Sequence, residues 1–229
     1  MTKIMDKWNA LKRITTPELI IDKLFRPLLK LDSFQIFVNR NVSIKCTYKL
    51  VPSYESANFD GIFEYHFDDI QKTDIILDIG ASIGGFPLFI SKFTKQIYAV
   101  EPLWTDLLQK NVQLNNIKNI TVIDRALGSG TINIHYNKKR TMIGSSLKEI
   151  IDLCGGHIDF LKCDCEGGEW TIKPEELKGI RRIEMELHDI DKHNSSAFLD
   201  MLSKAGFIYE STYSYGNRMH IHARRLSKN

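Results

Sequence analysis

Residues 76–86 read ILDIGASIGGF, an apolar run that closes on Asp78 and then places Gly80, Gly84 and Gly85 within six positions. A near-continuous apolar run of this length describes a strand buried on both faces, the kind found in parallel sheets. A glycine turn after such a strand lets backbone approach a ligand, and the helix that follows offers free amide groups at its N-terminus. The stretch therefore predicts the first strand, turn and helix of an open α/β sheet, with a nucleotide-like ligand beyond the strand's carboxyl end.

The same grammar continues downstream. QIYAVE (96–101) reads as a second strand, TDLLQKNVQLNN (105–116) as a helix capped by Thr105 and ending at Asn115 or Asn116, and NITVID (119–124) as a third strand. TINIHY (131–136), HIDFLKCD (157–164) and RRIEMELH (181–188) are further strands, SSAFLDMLSKAG (195–206) is a helix, and FIYEST with RMHIHARR forms a closing hairpin. Alternating buried strands and helices predict a doubly wound, mostly parallel sheet with one antiparallel strand near its edge. Upstream, Leu19, Ile20, Leu24, Leu28 and Leu29 give helical spacing within residues 1–31, with Thr16 and Pro17 as cap and first-turn proline. FQIFV and VSIKCTY, separated by NRN, suggest a hairpin. Residues 1–70 are thus expected to form a helical and hairpin extension, a lid or pocket wall, and residues 71–229 the ligand-binding domain.

Composition sets the outer limits. With 229 residues, 43% hydrophobic and 26% charged, the chain suits one sizeable α/β domain and an extension, and neither a disordered nor a fibrous protein. MTKIMDKWNALKR lacks the apolar core of a signal peptide, and no stretch reaches the length of a membrane span, so a cytoplasmic protein is expected. Cys46, Cys154, Cys163 and Cys165 lack the density of a disulfide scaffold and any companion Cys/His pair at zinc spacing. They are read as thiols, and no metal site is expected. A net charge of +3 is too small to demand nucleic acid, although the first 30 residues carry seven Lys/Arg against three Asp/Glu and the tail RMHIHARRLSKN is basic.

The turn departs from the G-x-G-x-x-G dinucleotide pattern, since Ala81 and Ser82 follow Gly80, and the Gly-Lys-Ser/Thr ending of a P-loop is absent. Glu101 closes the second strand 23 positions after Asp78, where a carboxylate can accept both ribose hydroxyls of an adenosine. Pro102, Leu103 and Trp104 would cover the adenine face, and Asp124, Arg125 and Ala126 would meet its edge. Adenosine without a pyrophosphate site points to S-adenosylmethionine. Asp78 would then orient the turn, Gly80, Ala81 and Ser82 face the methionine end, and Gly84 and Gly85 open the helix, with Phe86 and Asp164 also counted among the cofactor-binding residues.

Four stretches in order, ILDIGASIGGF, YAVEPLWTDLLQKNVQLNN, RALGSG and DFLKCDCEGGEW, resemble the FkbM family of S-adenosylmethionine-dependent methyltransferases. The resemblance covers roughly residues 60–190. It implies a Rossmann-like class I methyltransferase domain, a seven-stranded sheet of order 3-2-1-4-5-7-6 with helices on both faces, and functional placement of Asp164 and Glu166. Ser82 stands where the family usually has Asn, and SSLKEIIDLCGG replaces the common Thr-Leu-Asp before the fourth strand.

Strand alternation sets Lys162, Asp164 and Glu166 on one side, facing the cleft, and Cys163 and Cys165 on the other. The fifth strand brings Glu184, Glu186 and His188, and His188 stands where a general base or a positioning group would. Catalytic roles are therefore sought among Asp164, His188, Glu166 and Lys162. His220 and His222 read as surface or packing residues, while Glu64, Tyr65 and His66 stand where an acceptor pocket would be lined. Neither an Asn/Asp-Pro-Pro-aromatic loop nor a Pro-Cys pair is present, which disfavours nucleobase methylation. O-methylation of a sugar, glycan or small metabolite is the leading expectation, nucleic acid is not expected as partner, and oligomeric state is left open. An RNA methyltransferase and a non-catalytic nucleotide-binding protein on the same fold are the alternatives.

Overall fold

The computed structural model describes residues 33–37, 43–47, 65–136, 138–214 and 217–225. The helix expected over residues 1–31, its Thr16–Pro17 start and Glu64 lie outside them. The expected hairpin is present as β1 (Ser33–Phe37) and β2 (Ser43–Thr47), paired antiparallel.

The main sheet begins at β3 (Ile75–Ile79), followed by α1 (Gly85–Ile90), β4 (Gln96–Val100), α2 (Thr105–Leu114) and β5 (Ile120–Ile123). After β6 (Thr131–Tyr136), β7 (Lys138–Ile143) and α3 (Leu147–Leu153) come β8 (Phe160–Cys163), β9 (Arg182–Leu187), α4 (Ser195–Lys204), β10 (Phe207–Ser214) and β11 (Arg218–Arg225). The seven strands run in the order β10-β11-β9-β8-β3-β4-β5. Counted along the chain within that sheet, this is the expected order 3-2-1-4-5-7-6. β5, β4, β3, β8 and β9 are mutually parallel, and β11 runs antiparallel between β9 and β10.

Period-2 alternation in the strands builds two cores. Leu77, Ile79, Leu161, Ile183 and Leu187 pack with Leu147 and Ile150 of α3 and Phe198 and Leu202 of α4. Ile76, Ile97, Ala99 and Phe160 face the other way, onto Phe86, Leu88 and Ile90 of α1 and Leu107, Leu108 and Val112 of α2. Helices therefore cover both faces, and the cleft opens at the carboxyl end of β3, β4 and β8. α3 starts with a reciprocal capping box between Ser146 and Glu149 inside the stretch where the sequence departs from the FkbM pattern. α2 begins one residue earlier than expected of its cap: Trp104 occupies the cap position, and the Thr105 hydroxyl donates to the Glu101 carbonyl.

β6 and β7 pair with each other and stand apart from the main sheet. β7 went unread because KKRTMI carries too many cations to look like a strand. As half of an exposed hairpin it has no buried face to declare itself.

Candidate functional site

The turn is fixed from three sides. The Gly80 and Ala81 amides both donate to the Val100 carbonyl at 3.0 Å. Gly80 adopts φ +79°, and a Cβ there would sit 1.7 Å from the Asp164 carbonyl oxygen, so only glycine lets β3 and β8 end this close together. Beneath the turn, Lys162 is 1% exposed; its Nζ donates to the Gly80 carbonyl at 3.1 Å and lies 3.2 Å from Asp78 and 3.8 Å from Asp164. The expectation that Lys162 faces the cleft is corrected. Alternation does set it on the side of Asp78, but there it is captured between a buried carboxylate and the turn.

Glu101 is the hub of the other wall. One carboxylate oxygen accepts the Ser82 amide at 2.8 Å, and the other accepts the Leu103 and Trp104 amides at 2.6 and 3.0 Å. A single buried acid thus locks the glycine turn to the loop that opens α2.

Between these walls lies a cleft of about 810 Å³. Gly80, Ser82, Glu101, Pro102, Leu103 and Trp104 line one part of it, Arg125 and Ala126 another, and Asp164, Cys165 and Glu166 a third. Other expected contacts lie outside the lining. Asp78 and Ala81 are buried below the turn, Gly84 is pressed against Leu108 and Leu88, and Gly85 and Phe86 belong to the core of α1, Phe86 packing against Phe160 and Tyr65. Asp124 also turns away. Its carboxylate holds Arg140 through a two-pronged contact at 2.5 and 3.0 Å, while Arg140 also donates to the Pro102 carbonyl. The β6–β7 hairpin is thereby latched over the cleft, and Ile132, Asn133 and Ile134 become part of its wall. TINIHY alternates as a strand should, but KKRTMI, one residue on, gives no matching signal for the hairpin.

At the far end, past β8, the polar residues converge. His188 is 4% exposed. Its Nδ1 lies 3.2 Å from Glu169, and its Nε2 faces Glu186 at 3.2 Å, Glu166 at 3.5 Å and Asp164 at 3.6 Å. Burial pushes the imidazole pKa down, but contact with Glu169 and Glu186 and the charge of Asp164 outweigh it and raise the pKa to about 10. In that state the imidazole holds a proton at neutral pH, the form of a positioning group among these carboxylates. Burial raises the Glu166 carboxyl above its ordinary range against the opposing pull of His188 and Arg218. The Tyr65 hydroxyl donates to Asp164 at 2.8 Å, and burial together with that carboxylate pushes the phenol well up. Tyr65 therefore does reach the cluster, as its place in the sequence suggested, whereas His66 stacks on His222 away from it.

Cys163 and Cys165 have their sulfurs 3.8 Å apart on the side away from Lys162. Burial raises the Cys163 thiol, and hydrogen bonding to Cys163 followed by burial raises Cys165 well above the ordinary range, so both stay protonated.

Similar solved structures share this fold. An rRNA methylase from Streptococcus thermophilus aligns over 75% of this chain and 95% of its own at a TM-score of 0.51 and 11% identity. A Streptococcus mutans protein in complex with SAH aligns over 77% and 100% at 0.50 and 13%. The fold is that of the Rossmann-like methyltransferases. A ribosomal protein L11 methylase from Lactobacillus delbrueckii subsp. bulgaricus, 11% identical over 84% of this chain, shows the same methyltransferase fold at 0.50. No protein-family model matches the chain, so the resemblance to the FkbM family stands on its motifs alone. Among the described residues no helix is long and apolar enough to cross a membrane.

Proposed function

We propose that the protein is an S-adenosylmethionine-dependent methyltransferase that methylates a hydroxyl oxygen of a sugar, glycan or small metabolite. The observation that carries the reading is Glu101: a buried acid at the end of β4, tied to the glycine turn through Ser82 and bordering the cleft. That is where an acid meets a ribose in nucleotide-binding sheets of this type. Gly80 and Ser82 would receive the methionine end, Pro102, Leu103 and Ala126 the adenosine. The structure of the fold relative bound to SAH is in keeping with such a ligand.

Methyl transfer from a sulfonium is an in-line displacement, so the first requirement is alignment of acceptor and methyl group. A hydroxyl must also lose its proton. Glu166 lines the cleft and has its carboxyl pushed upward, which suits a proton acceptor, and Asp164, oriented by Tyr65, lies beside it. Lys162 acts from below as a positioning residue for the turn, and His188 orders the carboxylates around it. Residues 1–70 would complete the acceptor side as a lid or wall.

The RNA reading keeps one support: an rRNA methylase shares the fold, and Arg125 stands exposed on the cleft lining. Against it, the acceptor end presents Asp164, Glu166 and Asp189, which repel phosphate. Labelled methyl transfer from S-adenosylmethionine into fractionated cell extract decides the matter. Label in the carbohydrate or small-molecule fraction is expected; label in the RNA fraction, with salt-dependent RNA binding, would replace this reading.

A further inference from the structure

His188 Nε2 is buried, its side chain 5% exposed, yet it makes no hydrogen bond among the described residues. What surrounds it is three carboxylate oxygens: Glu186 Oε2 at 3.2 Å, Glu166 Oε2 at 3.5 Å and Asp164 Oδ1 at 3.6 Å. Donors bound to one cation at about 2.1 Å, with bond angles between square and tetrahedral, stand roughly 3.0–3.4 Å apart. The three separations from His188 Nε2 need a closure of only a few tenths of an ångström to meet that, and the ligand atoms of Asp164, Glu186 and His188 all lie within 4.8 Å of one another. Asp164 Oδ1, Glu186 and His188 come from the ends of the adjacent strands β8 and β9, so a reading along the chain does not show them as a group.

The surroundings match as well. His188 Nδ1 is held by Glu169, the outer-shell carboxylate that characteristically orients a metal-binding imidazole. The second oxygen of each carboxylate is also engaged: Asp164 Oδ2 accepts the Tyr65 hydroxyl, and Glu186 Oε1 lies 3.3 Å from His220. Asp164 and Glu166 open onto the cleft, which leaves a path in and a face for a further oxygen ligand. Arg218 Nη1 also donates to Glu186 Oε2 at 3.2 Å, so a cation bound here shares that oxygen with the guanidinium or displaces it. Among the described residues a second His-containing group, His66, Glu184 and His222, has both oxygens of its carboxylate engaged more closely, by Arg182 at 2.5 Å and His222 at 2.6 Å.

We infer that Asp164, Glu186 and His188, bordered by Glu166, form a binding site for one divalent cation at the acceptor end of the cleft. One imidazole and two or three carboxylates suit Mn²⁺, with Zn²⁺ as the softer competitor. The cation takes the place of the proton on His188. Its use in catalysis rests on the methyltransferase reading: it would hold the acceptor oxygen and make its hydroxyl easier to deprotonate, with Glu166 receiving the proton. Binding of the cation itself does not depend on that reading.

The test is titration of the metal-stripped full chain with MnCl₂ at pH 7.5, followed by calorimetry and by the electron-paramagnetic signal of free Mn²⁺. One site per chain is expected, with affinity lowered at least about 10-fold in Glu186→Gln and in Asp164→Asn, and unchanged in Asp200→Asn on the exposed side of α4. Thermal unfolding of each variant confirms that it is folded. No saturable binding of Mn²⁺ or Zn²⁺ by the wild-type chain overturns the inference. So does binding that persists in both ligand variants and falls instead in His66→Ala. Calorimetry with S-adenosylhomocysteine on the same metal-free sample separates the two readings: its binding without Mn²⁺ binding sinks the cation site alone, and the reverse sinks only the cofactor assignment.

Discussion

Replacing Gly80 by alanine tests the geometry on which the whole cleft depends. At φ +79° an alanine costs about 1–2 kcal/mol of backbone strain. Its Cβ would also lie 1.7 Å from the Asp164 carbonyl oxygen and 2.7 Å from the carbonyl carbon, both backbone atoms that cannot rotate aside. Relief requires the ends of β3 and β8 to part by more than an ångström, at an overpacking cost of about 1–3 kcal/mol or more. The total, about 2–5 kcal/mol, is a large share of ordinary domain stability. It corresponds to a fall in melting temperature of roughly 10 °C. Gly155→Ala is the matched control: its φ is +90°, but nothing lies within 4 Å of the added methyl, so only the backbone strain remains. Differential scanning calorimetry of both variants, with S-adenosylhomocysteine titrated into each, reads the difference. If Gly80→Ala melts within a degree or two of Gly155→Ala and binds the ligand as the wild type does, the close approach of turn and strand end is not what shapes this cleft.

Other perturbations reach other parts of the site. Glu101→Gln removes the charge that accepts the Ser82, Leu103 and Trp104 amides and that would meet the ribose, and should weaken S-adenosylhomocysteine binding about 100-fold in calorimetry. Arg140→Ala frees the β6–β7 hairpin from Asp124 and Pro102; because that ion pair is more than a third exposed, stability should change by less than about 1 kcal/mol while ligand dissociation in stopped flow becomes faster. Lys162→Met strips the cation from buried Asp78 and should cost about 3–5 kcal/mol, whereas pairing it with Asp78→Leu should recover much of the loss in urea unfolding. Burial pushes the Cys154 thiol to about 12, so iodoacetamide at pH 8 should label this residue in the folded chain roughly 1,000-fold more slowly than a free thiol, with peptide mapping as the measurement.

How much of this was legible depended on whether a residue's role is local. The β3 turn, the Glu101 position and the mostly parallel sheet follow from apolar runs and glycine spacing, which act along the chain, while the strand order came only with the resemblance to the FkbM family. Asp164 and Glu166 were found because the motif containing them ends a strand. Lys162 was misplaced because alternation gives the side of a strand but not whether that side opens to a cleft or onto a buried Asp78. Asp124 stands at the expected strand end, yet its partner Arg140 is 16 residues away in a hairpin with no sequence signal strong enough to place it. Thr105 looked like a cap by residue type, but the loop from Glu101 ties the helix start through backbone amides instead. The Asp164, Glu186 and His188 group exists only because β8 and β9 are neighbours in register, which no spacing along the chain reveals.

The central claim is that the cleft between Gly80 and Glu101 holds S-adenosylmethionine. Isothermal titration of S-adenosylhomocysteine into the purified full chain tests it most directly, with NADH titrated in parallel. One saturable site per chain for S-adenosylhomocysteine, lost or greatly weakened in Glu101→Gln, and no binding of NADH is the predicted result. Absence of S-adenosylhomocysteine binding by a folded wild-type chain, or equally tight binding by the Glu101 variant, would contradict it.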